Sequence, residues 1–112
     1  MQIETRKVYD TLVVEMSGRL DSRTAGDAGD RMVAIAQGTD RHVVLNLAKL
    51  DYVSSAGLRV ILQAAKLLQA KNGKLTICSA AGSVKTVLET AGFDSLLNTY
   101  ATEKEAVAAF ST

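Results

Sequence analysis

The chain lacks proline and tryptophan and contains one cysteine, one histidine, three tyrosines and two phenylalanines. Without proline, the turns must depend on Gly, Asp, Asn and Ser. The single cysteine, Cys78, excludes an intramolecular disulfide and is consistent with a reducing compartment. So few aromatic side chains argue against a surface on which bases or sugars stack.

Neither sign of charge dominates, because 13 basic residues face 12 acidic ones and the formal net charge is +1. This balance gives no reason to expect nucleic acid or an anionic membrane as the main partner. No apolar run approaches the roughly 18 residues of a membrane-spanning helix, and Met1 to Lys7 contain no apolar stretch of the secretory-signal type. We therefore expect a cytoplasmic protein, and its small size and balanced surface suit a monomer.

Apolar periodicity predicts strands that alternate with helices. The predicted strands are residues 2–7, Thr11–Met16, His42–Leu47, Lys74–Cys78 and a short piece at Leu96-Leu97. The predicted helices are Ala25–Gln37, a second from about Ala56 to the Asn72-Gly73 stop, a third capped by Ser83 and ended by Gly92, and Glu103–Phe110. Such alternation indicates a largely parallel sheet with right-handed crossovers, and the first two strands would form an antiparallel hairpin at its edge. We predict a single α/β domain over residues 1–112, with a small mixed, mostly parallel sheet and about four helices.

The helical spacing also predicts which side chains face the core. On the second helix the expected inner face is Leu58, Ile61, Leu62, Ala65 and Leu68. On the third helix it is Val84, Val87, Leu88 and Ala91.

Catalytic chemistry has few candidate residues in this chain. A Ser-His-Asp triad needs a histidine, and His42 is predicted at the end of its strand opposite the serines described below. A strand of about five residues spans roughly 17 Å, so we expect a structural or surface role for His42. Cys78 is expected to be a small buried hydrophobe, and one His and one Cys far apart offer no metal site. We therefore expect no enzyme activity, no metal and no cofactor.

Two adjacent serines, Ser54 and Ser55, lie where a strand pattern changes to a helix pattern. A helix start exposes unpaired backbone N–H groups and the positive end of the helix dipole. A hydroxyl there is either a helix cap or a place where a negative group such as phosphate is accommodated. Two serines allow both roles at once, with one capping and one exposed.

Residues around the serines have two interpretations each. Gly57 costs about 1 kcal/mol relative to alanine in a helix interior, so it indicates close approach either of a partner or of the domain itself. Asp21 is either a cap or turn former or a functional acid. Arg59, Gln63 and Lys66 form an exposed polar stripe, which is commonly a solvated face.

The residues around the serines resemble a known family. The run Asp51-Tyr52-Val53-Ser54-Ser55-Ala56-Gly57-Leu58-Arg59-Val60-Ile61-Leu62 resembles the signature of STAS domains of the anti-sigma factor antagonist type. Gly18-Arg19-Leu20-Asp21, followed by Thr24-Ala25, is similar to that family's other loop, and Val43 to Leu47 resembles the strand that leads to the serines. The resemblance covers almost the whole chain in order and spacing, and it implies a small mixed sheet with helices packed against it.

The resemblance implies that the protein is a bacterial regulator that works by partner switching. The unphosphorylated domain would bind an anti-sigma factor that is also a serine kinase of the histidine-kinase-like ATPase superfamily, which frees the sigma factor. Phosphorylation of one serine would separate the complex, and a PP2C-type serine phosphatase, dependent on manganese or magnesium, would reset it. Related STAS proteins suggest an alternative, namely a scaffold or a component that regulates transport or secretion without releasing a sigma factor.

The resemblance also implies roles for individual residues. Aligned on Gly57-Leu58, Ser55 matches the family's phosphate acceptor. Ser54, the runner-up, departs from the sporulation archetype, which has aspartate at that position. Asp21 matches a loop aspartate near the acceptor, and Asn46 stands where an aspartate is frequent. The predicted partner-binding surface consists of Asp21, Ser54, Gly57 and Arg59, with Gln63 and Lys66 more peripheral.

Overall fold

The computed structural model describes residues 1–110, which form five strands and five helices. The strands are β1 (Gln2–Val8), β2 (Thr11–Leu20), β3 (His42–Val53), β4 (Lys74–Cys78) and β5 (Thr99–Tyr100). The helices are α1 (Ala25–Ala36), α2 (Ser55–Ala70), α3 (Gly82–Thr90), α4 (Phe93–Leu96) and α5 (Glu103–Ala108). None of the helices within residues 1–110 has both the length and the apolar character needed to cross a membrane.

The strands form one sheet in the order β1-β2-β3-β4-β5. β1 pairs antiparallel with β2 through a tight turn in which Tyr9 has a φ of 55°. Each remaining neighbour pair is parallel, because a helical crossover joins β2 to β3, β3 to β4 and β4 to β5. The predicted mixed, mostly parallel sheet with an N-terminal hairpin is therefore confirmed.

Apolar side chains cover both faces of the central strands. Alternate residues of β2 and β3, such as Val14 and Leu45, join the larger core beneath α1, α2 and α3. The residues between them, Val13 and Val44, join a smaller cluster with Cys78 and residues of α5. Burial on both faces explains why these strands read as nearly continuous apolar runs.

A polar network holds the start of α5 on the sheet face that carries the smaller cluster. Arg6 pairs with the carboxylates of Glu15 and Glu103. The amide of Asn46 donates to Glu103 Oε1 at 2.9 Å, and Asn46 Oδ1 accepts from the backbone N–H of Ala48 at 2.9 Å. The hydrogen bond with Arg6, the largest influence, lowers the pKa of Glu103. Asn46 thus connects α5 to β3, and the nitrogen and oxygen of its side-chain amide both form hydrogen bonds within the domain.

β2 and β3 are longer than their apolar patterns predict. They continue past Met16 and Leu47 to Leu20 and Val53, because the two extensions pair with each other. The pairing has register shifts after Glu15 and after Gly18, which has a φ of +96°. Such irregularities interrupt the two-residue alternation by which a strand is recognised, and this is why the sequence pattern ends early.

Two predictions about the C-terminal part of the chain are wrong. Leu96 ends the one-turn helix α4 and is 61% exposed, and the short edge strand lies at Thr99–Tyr100 instead. The reason is that Phe93, at the head of α4, is the side chain that enters the core. Ser83 does not cap α3 either, because the helix begins at Gly82 with Ala81 as its N-cap.

The inner faces of α2 and α3 also differ from the prediction. The buried residues of α2 are Gly57, Val60, Ile61, Ala64, Ala65 and Leu68. Leu58 and Leu62 are only half-buried, because α2 packs against α1 as well as the sheet. The Cγ2 of Val60, for example, would lie 3.6 Å from a Cβ placed on Gly29 of α1. On α3, Val84 and Leu88 are buried but Ala91, just after its end, is exposed.

Candidate functional site

The pairing of β2 with β3 brings two loops together at one edge of the sheet. Leu20 and Val53, the last residues of the two strands, are partners in the parallel ladder. The backbone N–H of Ser54 continues the ladder by donating to the carbonyl of Leu20 at 2.9 Å. Asp21 and Ser54, each the next residue in its loop, therefore start the two loops side by side.

The two serines have different positions at the start of α2. Ser54 is the N-cap, with extended backbone (φ −101°, ψ 177°), and its Oγ accepts from the N–H of Gly57 at 3.4 Å. Ser55 is the first helical residue and its side chain is exposed. The structure thus divides the roles that local chemistry leaves open, with one serine used as a cap and the other presented to solvent.

Hydrogen bonds fix the loop that carries Asp21. The Oδ1 of Asp21 accepts from the N–H of Arg23 at 2.9 Å. The hydroxyl of Thr24 accepts from the N–H of Asp21 at 3.0 Å and donates to the carbonyl of Arg19 at 2.8 Å. The carboxylate is therefore part of a turn and is presented in one orientation beside the serines.

The charge of Asp21 is stabilised by its surroundings. The hydrogen bond from the Arg23 N–H, followed by the side chain of Arg19, lowers the pKa of Asp21 below its usual value. The Arg19 Nε lies 3.5 Å from Asp21 Oδ2. Asp21 is therefore a carboxylate at neutral pH and places a negative group beside the serines.

Arg19 also stacks on Tyr52. The two residues are partners in the β2–β3 ladder, and the guanidinium carbon lies 4.4 Å from the centre of the Tyr52 ring. A cation over an aromatic face is stabilised by the ring quadrupole. Tyr52 is 36% exposed, and the stacked pair lines one side of the site.

The β2–α1 loop, the end of β3 and the start of α2 line an open groove of about 650 Å³. Its charged residues, within the described part of the chain, are Arg19, Arg23, Arg59 and a single acid, Asp21. The other lining residues are Ser22, Tyr52, Val53, Ser54, Ser55, Ala56, Leu58 and Val87. The groove thus presents an exposed hydroxyl in a surface on which cations outnumber acids.

Gly57 lies beneath this surface and not on it. A Cβ at this position would be 2.7 Å from both the Cγ and the carbonyl oxygen of Leu20, and 2.9 Å from the Cγ2 of Val53. The glycine therefore allows close packing of α2 on the strand ends, which is the second of its two interpretations. The expectation that Gly57 belongs to an exposed surface is corrected, because its burial leaves no side chain to present.

The other predicted residues are farther from the serines. Gln63 and Lys66 are exposed on later turns of α2 and border a separate shallow surface with Arg59. His42 is at the opposite end of the 12-residue β3, where its ring stacks on Phe110 with centres 4.4 Å apart. Cys78 is fully buried, as expected, and burial raises the pKa of its thiol.

Sequence reasoning did not select Arg19, Arg23 or Tyr52 as site residues. Arg19 and Tyr52 are within the motifs, but their stacking depends on a ladder between residues more than 30 positions apart. The sequence did contain one indication of this contact. Arg19 and Tyr52 each come one residue before the end of a strand that leads to a predicted site loop.

The comparisons with known proteins agree with this architecture. The family model described as STAS domain matches residues 2–106. A protein of Bordetella bronchiseptica, BtrV, provisionally named an anti-sigma factor antagonist, is 36% identical over 112 residues, which cover 100% of this chain and 97% of that protein. The anti-sigma F factor antagonist of Paenibacillus polymyxa is 32% identical over 108 residues, covering 96% and 92%.

Solved structures show the same fold. An anti-sigma factor antagonist from Mycobacterium paratuberculosis has a TM-score of 0.91 at 20% identity, covering 99% of this chain and 94% of that one. The Bacillus cell fate determinant SpoIIAA in its phosphorylated form has a TM-score of 0.74 at 21% identity, covering 97% and 99%. As its serine motif and loop spacing predict, this chain belongs to the STAS domain family, among relatives named anti-sigma factor antagonists.

Proposed function

We propose that this protein is an anti-sigma factor antagonist whose binding is switched by phosphorylation of Ser55. In the unphosphorylated state it binds an anti-sigma factor that is also a serine kinase of the histidine-kinase-like ATPase type. The kinase phosphorylates Ser55 and the complex separates, and a PP2C-type phosphatase restores the binding state. The protein itself is a binding module and not an enzyme.

The division of roles between the two serines carries this proposal. Ser54 occupies the cap, which leaves the hydroxyl of Ser55 exposed in a groove beside the loop of Asp21. A phosphate on Ser55 lies at the positive end of α2, where a negative group is favoured. The domain therefore keeps its fold when modified, and the change is confined to the surface that a partner contacts.

The charge of a phosphate at this position is the means by which binding is controlled in this proposal. It adds about −1.5 to −2 charges at neutral pH. Turning an interaction from mostly formed to mostly broken takes a change of about 5.5 kcal/mol in differential affinity. Desolvation of the phosphate against carboxylate or apolar groups of a partner supplies a penalty of this kind. A partner that binds the unmodified surface is expected to place a cation opposite the Asp21 carboxylate. The uncharged hydroxyl of Ser55 does not favour a cation opposite it.

A pull-down from the native cells tests the proposal. Wild type and Ser55→Ala are expected to capture the kinase, and Ser55→Glu is expected to lose it. Ser95→Glu, which adds the same charge at an exposed serine on α4, is the matched control and should bind as wild type does. Incubation with the captured kinase and ATP should then place phosphate on Ser55.

Two results would contradict the proposal. One is full kinase binding by Ser55→Glu, and the other is the absence of phosphate from both Ser54 and Ser55 by mass spectrometry. Capture of a transporter ATPase in place of a kinase would support the alternative role in transport.

A further inference from the structure

Arg59 is an exposed cation on the same helix as Ser55. It follows Ser55 by four residues, and side chains four apart on a helix are neighbours, with Cβ atoms about 5–6 Å apart. Both residues line the groove at the head of α2. Within residues 1–110, Arg59 forms no ion pair or side-chain hydrogen bond, and it is exposed. Its guanidinium is therefore available to a new negative group on the same face.

We propose, building on the proposed phosphorylation of Ser55, that Arg59 becomes the intramolecular counter-ion of the phosphate. Side chains on a helix lean toward its N-terminus, so a phosphate on Ser55 is within reach of the Arg59 side chain, which lines the same groove. Its planar fork binds two phosphate oxygens at once, which is a strong form of charge-assisted hydrogen bond. Modification thus adds a phosphate and at the same time withdraws Arg59 from contact with the partner.

The other two arginines of the groove are less suited to this role. Arg19 is already engaged by the Asp21 carboxylate and the Tyr52 ring. Arg23 belongs to the separate β2–α1 loop, where its backbone N–H is bonded to Asp21. Arg59 alone of the three shares a rigid element with Ser55, so the pair forms without moving one loop against another.

The proposal gives Arg59 a different role in each state of the protein. Before modification its guanidinium is free to meet a carboxylate of the partner. After modification it is held by the phosphate, and the partner loses that contact as well as meeting the new charge. The exposed Ser55 and Arg59 would therefore act as one unit in the switch.

The test uses the full chain with phosphoserine encoded at position 55, so it does not depend on any kinase. Phosphorus NMR follows the second ionisation of the phosphate against pH in the wild-type background and in Arg59→Gln, Arg59→Lys and Lys66→Gln. A paired cation favours the dianion, so Arg59→Gln should raise the midpoint by about 0.2 to 0.7 pH units, as expected for an exposed ion pair. Arg59→Lys should show a smaller shift.

Lys66→Gln is the matched control, because it removes an exposed cation roughly 16 Å along the same helix, beyond the screening length at 0.1 M salt. Its midpoint should equal that of the wild-type background, and 1 M salt should reduce the effect of Arg59→Gln. Equal midpoints for Arg59→Gln and Lys66→Gln would overturn the pairing. Failure of the kinase to modify Ser55 would instead overturn the proposed function and leave this measurement intact.

Discussion

Replacement of Gly57 by alanine tests how α2 is seated on the strand ends. The new Cβ would lie 2.7 Å from the Leu20 carbonyl oxygen, which is fixed because it accepts the N–H of Ser54. It would also lie 2.9 Å from the Cγ2 of Val53. Because the carbonyl is held by a hydrogen bond and the Val53 side chain is buried, we expect the head of α2 to shift away from the sheet.

Two opposing effects set the size of the change in stability. Overpacking of this kind costs about 1–3 kcal/mol. Alanine is favoured over glycine in a helix by up to about 1 kcal/mol, and this offsets part of the cost. We expect Gly57→Ala to reduce the free energy of unfolding by about 1–2 kcal/mol, which lowers the melting temperature by roughly 5–10 °C in a domain of this size.

Gly26→Ala provides a matched control for this substitution. Gly26 lies on α1, and a Cβ there would meet nothing within 4 Å. The same change should therefore stabilise the protein by up to about 1 kcal/mol, so the two variants should differ in sign. Urea unfolding followed by circular dichroism measures both. If Gly57→Ala were as stable as wild type, the packing argument for the position of α2 would be refuted.

Two further predictions concern side chains at the starts of α2 and α5. Ser54→Ala should cost about 1 kcal/mol of stability through loss of the cap, whereas Ser55→Ala should cost less than about 0.5 kcal/mol, as an exposed substitution does; equal losses in urea unfolding would contradict the division of roles. For Glu103, the lowered pKa means that the folded state favours the carboxylate. The stability that the ionised Glu103 contributes is therefore present above its usual pKa of 4.5 and is lost as the pH falls through the lower pKa of the folded state. Glu103→Gln should flatten the decline of unfolding free energy below that pH, and an unchanged profile would count against the Arg6 pair.

Much of the fold was predictable from local patterns. The helical spacing of α1 and α5 and the stops at Asn72 and Gly92 depend on residues within one or two turns of each other, and the structure places these elements as expected. The prediction of a strand at Leu96-Leu97 was wrong because apolar character alone does not distinguish a strand from a one-turn helix. The burial of Phe93 decided between them.

The candidate site was only partly predictable for a related reason. The serine pair was selected from the sequence because helix starts are visible locally, and Asp21 was selected through the resemblance to STAS domains. The stacking of Arg19 on Tyr52 and the contact of Gly57 with Leu20 depend on the ladder between β2 and β3. The bulges in that ladder shift its register and are not apparent in the alternation of apolar residues.

By itself, the sequence determined the order of the elements, the hairpin edge and the presence of two hydroxyls at a helix start. Periodicity and capping arise from contacts between near neighbours, so they are written into short stretches of chain. Only the tertiary structure decided that Ser54 caps the helix, that Ser55 is exposed and that Gly57 is buried. Those outcomes depend on where the end of β2 meets the end of β3, which is a contact between residues distant in sequence.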